Sequence, residues 1–182
     1  HAGTATAIEF CDGAKGFQFH FGTDGSGYDA IITPDGGSRN QVSPKSFELE
    51  EIDGKMMHRL QTRMKGMDVF GFGISTAPKT VKKLAEFYNF DYQEADYFVF
   101  HQANMKMNNI IARKLAFAPE KVPSCMYHFG NTSSASIPLT IATQLGGGKL
   151  KERTKFLCCG FGTGLSWGTV LFETDNFIVS DL

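Results

Sequence analysis

Period-two alternation is the first signal along the chain. In GFQFHFGTD, residues 16–24, Phe17, Phe19 and Phe21 recur at every second position between Gly-rich turns, which predicts a strand. The opening TATAIEF, residues 4–10, reads as small-residue strand or turn. From Pro34 to Asp53 the sequence turns to Gly, Ser, Pro, Asn and Glu, so an exposed, partly mobile loop or insertion is expected there. Residues 57–76 are ambiguous: Met57, Leu60 and Met64 have helical spacing, a bend is expected near Gly66, and Val69, Phe70 and Phe72 form an apolar patch. Pro78 suits the first turn of a helix whose face is Val81, Leu84, Phe87 and Tyr88.

The second half alternates more regularly. DYFVF, residues 96–100, is a short buried strand, and Met107, Ile110, Ile111, Lys114 and Leu115 mark an amphipathic helix of about four turns ending before Pro119. SCMYHF, residues 124–129, is strand-like; GNTSS is a polar turn; SASIPLTIATQL, residues 134–145, is helical; and Gly146 to Gly148 break it. TKFLCC and SWGTVLFE, residues 154–159 and 166–173, close the chain as two strands joined by a glycine-rich bend. Helices interleaved with strands give an α/β fold, and no self-similar period marks a repeat protein.

Composition narrows the function classes. At 182 residues one well-buried core is expected. A net charge of -1 with Lys and Arg scattered leaves no basic stripe for nucleic acid. No apolar run approaches the roughly 20 residues of a membrane span, and the start lacks the regions of a secretory signal, so a cytoplasmic protein with no membrane partner is expected. Cys11, Cys125, Cys158 and Cys159 form no CxxC pair, and adjacent cysteines cannot easily serve one tetrahedral site; reduced thiols and no metal are expected. Because the first residue is His1 and not Met, the chain could begin inside a longer protein, although a processed terminus or a tag remnant would read the same.

Three places could carry chemistry. His101 directly follows the DYFVF strand, and open α/β sheets bind ligands beyond the C-terminal ends of their strands. A hydrogen-bonded structural His is the competing reading. Asn131, in a polar turn after the strand-like SCMYHF, is placed by the same logic at the same sheet edge, unless it is an ordinary turn residue or a helix cap. The bend GFGTGLSWG, residues 160–168, fails the dinucleotide pattern, since Gly162 and Gly164 would need glycine where Trp167 stands. Its glycines could allow a tight strand connection or let a backbone N–H approach an oxyanion.

HQANMK at 101–106, FGNTSSASIP at 129–138 and GFGTGLSWG at 160–168, in this order, resemble the C-terminal half of 3-oxoacyl-[acyl-carrier-protein] synthase III, a thiolase-fold condensing enzyme. HAGTATAIEF at the start and MKGMDVFGF at 64–72 extend the likeness to nearly the whole chain. Degradative thiolases would be expected to carry His in place of Asn131, and plant-type polyketide synthases share the GFG bend but not HQAN. The resemblance implies one βαβαββ-type layer unit of a five-layer enzyme, with residues 1–182 as a C-terminal domain and the half bearing the nucleophilic Cys absent.

It also implies a decarboxylating Claisen condensation between an acyl starter from acyl-coenzyme A and malonyl on acyl carrier protein. Such a site must stabilise an enolate oxygen with neutral donors, each worth about 3 kcal/mol of barrier. By resemblance His101 and Asn131 are those donors. Gly66 and Asn104 line the pantetheine arm, Lys106 approaches the carrier protein, and Phe70 and Phe161 flank the acyl channel and the malonyl carboxylate. Thr163 replaces a glycine, and its backbone N–H could complete the acyl oxyanion hole. Lys106 could equally be a solvated helix position, and Phe70 and Phe161 plain core. The family uses coenzyme A and phosphopantetheine thioesters as substrates and no further cofactor, and it forms homodimers when full length. A non-catalytic carrier- or pantetheine-binding module, a related acyltransferase and a hydroxymethylglutaryl-type synthase are the alternatives.

Overall fold

The computed structural model describes residues 2–147, 150, 153–174 and 178–179. In chain order its elements are β1 (Gln18–Thr23), β2 (Ile31–Ile32), β3 (Glu50–Ile52), β4 (Lys55–Met57), β5 (Arg63–Met64), α1 (Gly66–Tyr88), β6 (Tyr97–Phe100), α2 (Met105–Lys114), α3 (Met126–Phe129), α4 (Ser136–Leu145), β7 (Thr154–Gly162) and β8 (Ser166–Thr174). The main sheet runs β1-β8-β7-β6, with β6 and β7 parallel and the other two pairings antiparallel. β2 pairs with β5 and β3 with β4 in two small ribbons.

β6 and the middle of β7, Phe156 to Cys159, are apolar because both faces of the sheet are covered there. Phe98, Phe100, Leu157, Cys159 and Phe161 turn to one face, where Val81 and Leu84 of α1 and Met107 and Ile111 of α2 meet them. Val99, Phe156 and Cys158 turn to the other, against Ile141 and Leu145 of α4. Each fully buried Phe or Leu in these layers stabilises the fold by roughly 1.5–3 kcal/mol. Gly73 lets α1 close on this core: a Cβ there would lie 2.5 Å from Met107 Sδ and 3.0 Å from Phe161 Cε2.

Several expectations are corrected. Residues 4–10 form no strand and are exposed. In β1 the inward face is the polar one: His20 Nδ1 lies 2.7 Å from Thr80 Oγ1, and Thr169 Oγ1 donates to Thr80 Oγ1 at 3.0 Å, so hydroxyls of α1 and β8 hold that side. Phe17, Phe19 and Phe21 therefore stack along the open face, at 44%, 45% and 71% exposure. The 34–53 stretch contains structure: Asp35 is buried and bonded by Ser46 and Arg59.

Pro78 sits in the middle of α1 and not in its first turn, because the helix begins at Gly66. Proline has no N–H for the carbonyl four residues back. That carbonyl, Ile74 O, accepts from Lys114 Nζ of α2 at 2.9 Å. The helix stops where Asn89 enters the left-handed region (φ 52) and its N–H turns back to Ala85 O and Glu86 O. α2 spans 10 residues, shorter than expected. Residues 57–64, where Met57, Leu60 and Met64 have helical spacing, hold the ends of two ribbons. Residues 126–129 are a helical turn where a strand was expected. Of the Gly146 to Gly148 breaker, Gly148 lies outside the described residues, as does His1.

Candidate active site

β6 delivers His101 to the sheet edge. Its N–H extends the parallel ladder by donating to Cys159 O at 2.9 Å, and Ala103 N–H turns back to His101 O at 2.9 Å. Gln102, which is 1% exposed, braces that turn: Nε2 donates to Phe100 O at 2.7 Å, and Oε1 accepts from Ser124 Oγ at 2.7 Å. The His101 ring meets the Phe161 ring edge-on at 5.5 Å, and its Nδ1 lies 2.9 Å from Ser136 Oγ at the start of α4. Burial pushes the imidazole below the ordinary His range, against a weaker opposing interaction with the Ser133 backbone. The ring is therefore neutral at neutral pH.

Asn131 arrives by a route that differs from the expected strand end. It follows the turn α3 and Gly130, whose φ of 64 suits glycine, and it is exposed. Ser133 N–H donates to Asn131 Oδ1 at 2.9 Å. With the oxygen so engaged, the NH2 is the carboxamide's free end and can only donate. Ser133 thus touches both groups, holding the amide through its N–H while its backbone lies beside the His101 ring. No hydrogen bond among the described residues joins His101 to Asn131 directly.

The other predicted site residues divide. Phe161 is buried, packs in the core and contacts His101. Phe70 packs against the same core from α1, one turn after Gly66, where a Cβ would meet nothing within 4 Å. Asn104 is the N-cap of α2, its Oδ1 accepting from Met107 N–H at 2.8 Å, so the capping role is real whatever else it does. Lys106 is exposed in the first turn of α2, and Thr163 is exposed in the β7–β8 turn. An open apolar groove on the α4 side of the sheet is bordered by Phe19, Phe21, Ile137, Phe161 and Thr163 but not by His101 or Asn131. A polar depression around Asp35, Lys45, Glu50 and Arg59 shares no residue with these groups.

Comparison with known proteins gives this arrangement its family. Residues 85–174 match the family described as 3-oxoacyl-[acyl-carrier-protein (ACP)] synthase III C terminal. The beta-ketoacyl-[acyl-carrier-protein] synthase III of Streptococcus gordonii is 34% identical over 174 residues, covering 91% of this chain and 52% of that protein. That of Lactococcus lactis is 30% identical over 183 residues, covering 93% and 53%. The chain belongs to the 3-oxoacyl-[acyl-carrier-protein] synthase III family. A crystal structure of a 3-oxoacyl-(acyl-carrier-protein) synthase III superposes with a TM-score of 0.81 at 30% identity, over 91% of this chain and 49% of that one. The Burkholderia xenovorans synthase superposes at 0.76 and 32%, over 90% and 45%. The chain is thus the α/β thiolase-like half of a synthase III fold, and it spans about half the length of the curated relatives it matches.

With the synthase III family established, the cysteines take on meaning. Cys158 and Cys159 are buried, and burial pushes both thiols up to about 12. Buried Cys125 shares a 3.1 Å contact with Thr140 Oγ1, and Cys11 is exposed near the N-terminus. Cys159 meets His101 only through its backbone carbonyl, and no hydrogen bond among the described residues joins a cysteine Sγ to the His101 ring. Sequence reasoning missed Gln102, Ser124 and Ser136 as supports of His101. Gln102 stood in view beside it in HQAN, but nothing in the local pattern of Ser124 or Ser136 distinguishes them from other turn and cap serines.

Proposed function

We propose that this chain is the C-terminal part of a decarboxylating condensing enzyme, in which His101 and Asn131 donate to the enolate oxygen formed from malonyl-acyl carrier protein. The bond between the malonyl carboxylate and the α-carbon breaks, carbon dioxide leaves, and the electron pair passes into the enolate. The α-carbon then attacks the acyl thioester carbonyl, and a cysteine thiolate is expelled as the new carbon–carbon bond closes. That cysteine belongs, on this reading, to an N-terminal half outside this chain: Cys158 and Cys159 are buried thiols at about 12 and poor nucleophiles, Cys125 is buried against Thr140 Oγ1, and Cys11 lies in the exposed N-terminal stretch. Acyl-coenzyme A supplies the starter, and the full-length enzyme is a homodimer.

The observation that carries the reading is the pair of neutral donors: an imidazole kept uncharged by burial, and a carboxamide whose oxygen is occupied by Ser133, both bordering the same residue. Neutral donors suit an anion that forms during the reaction and must be released afterwards. The NH2 of Asn104, left over from its capping bond, and Gly66 take the pantetheine arm. Phe70 and Phe161 wall the acyl channel, Thr163 N–H faces the acyl oxyanion, and Lys106 meets the acidic carrier protein.

The test is condensation by the full-length protein. His101→Ala and Asn131→Ala should each lower kcat by about 10²–10³. Unchanged rates in both would contradict the reading. Carrier binding with no condensation in the unaltered protein would favour a binding module instead.

A further inference from the structure

We infer that Ser136 is a positioning residue that holds His101 as the Nε2–H tautomer. The inference deepens the condensing-enzyme reading and rests on it for its catalytic meaning. Ser136 is the first residue of α4 and is 1% exposed, and its Oγ lies 2.9 Å from His101 Nδ1. Either atom could donate, and the surroundings decide which does. If Nδ1 carried the proton, the buried serine hydroxyl would need another acceptor. No other partner of Ser136 Oγ occurs among the described hydrogen bonds, and a buried donor left unpaired is costly. If Ser136 O–H donates to Nδ1, both atoms are satisfied, and the ring proton resides on Nε2.

The helix adds a second bias. α4 is 10 residues long, and its N-terminal end, where Ser136 sits, carries partial positive charge. A cation beside that end is disfavoured, so the helix start and burial act together to keep the ring uncharged. The Ser133 backbone also meets the ring and works against burial, which is the larger influence of the two. Phe161 closes an edge of the site with hydrocarbon. The tautomer matters because only Nε2–H gives the substrate side of the ring a donor for the enolate oxygen. The opposite tautomer would present a lone pair to a developing anion.

The experiment uses full-length protein labelled with ¹⁵N-histidine, with the His101 signals assigned through His101→Gln. Nitrogen shifts distinguish a protonated ring nitrogen from a bare one. In the unaltered protein His101 should show a protonated Nε2 and a bare Nδ1 that accepts a hydrogen bond; a protonated Nδ1 overturns the inference without any variant. In Ser136→Ala the Nδ1 signal should lose its hydrogen-bond shift, and kcat should fall on the order of 10-fold with KM little changed, since the donor becomes a mixture of states. Ser136→Thr, which keeps the hydroxyl, should recover both. A Ser136→Ala protein with unchanged His101 signals and kcat would refute the positioning role. If the tautomer is as inferred but His101→Ala condenses at full rate, the condensing reading fails and the tautomer assignment stands.

Discussion

The two proposed donor groups, His101 and Asn131, differ in how they reach their state. His101 is neutral because it is half-buried, so its pKa lies below the unfolded value near 6.5. Its sign for stability follows directly: below about 6.5 the unfolded chain takes up a proton that the folded chain resists, so stability falls as pH drops from there toward the lowered folded value. Thermal unfolding should show a midpoint that declines as the pH drops below about 6.5, and His101→Gln should flatten that decline; an equal slope in the variant would contradict the shift. Position at a strand end was legible for His101 because an apolar run followed by a polar residue is a local pattern. Asn131 was legible only as a residue in a turn. The strand assigned before it is a helical turn, which the short apolar run of Cys125, Met126, Tyr127 and Phe129 could not reveal because so few residues fit either period.

At the level of elements, α1 shows tertiary packing overriding a local rule. Pro78 reads as a helix start, yet the helix passes through it because α2 supplies the missing donor from Lys114 to Ile74 O. Lys114→Met should therefore cost about 1 kcal/mol in the unaltered background. In a Pro78→Ala background, where the backbone N–H returns, it should cost little. A double-mutant cycle by chemical denaturation measures the coupling, and additive effects would remove Lys114 from this role. β1 failed in the opposite direction. Its phenylalanine alternation was visible, but alternation shows that two faces differ without showing which one is covered. The Thr80 and Thr169 hydroxyls that draw His20 inward lie 60 and 89 positions away from their partners, beyond any local window.

For the whole molecule, the α/β class and the burial of the 96–100 strand were readable from its unbroken apolar run, the mark of a strand covered on both faces, but the placing of α1 and α2 on one face and α4 on the other was not. The open stack of Phe17, Phe19 and Phe21 beside α4 is the apolar surface expected of a half whose relatives are about twice as long. The way His101 and Asn131 meet through Ser133 depends on α3, α4 and the β6 edge folding together, so no stretch of sequence contains it. The central claim is electrostatic: the site offers neutral donors to a transient anion. The most direct measurement is the rate of carbon dioxide release from malonyl-acyl carrier protein by full-length Asn131→Asp beside Asn131→Ala. The account predicts that the carboxylate variant is as slow as the alanine variant or slower, at least about 10²-fold below the unaltered enzyme. An aspartate variant that decarboxylates as fast as the unaltered protein would contradict it.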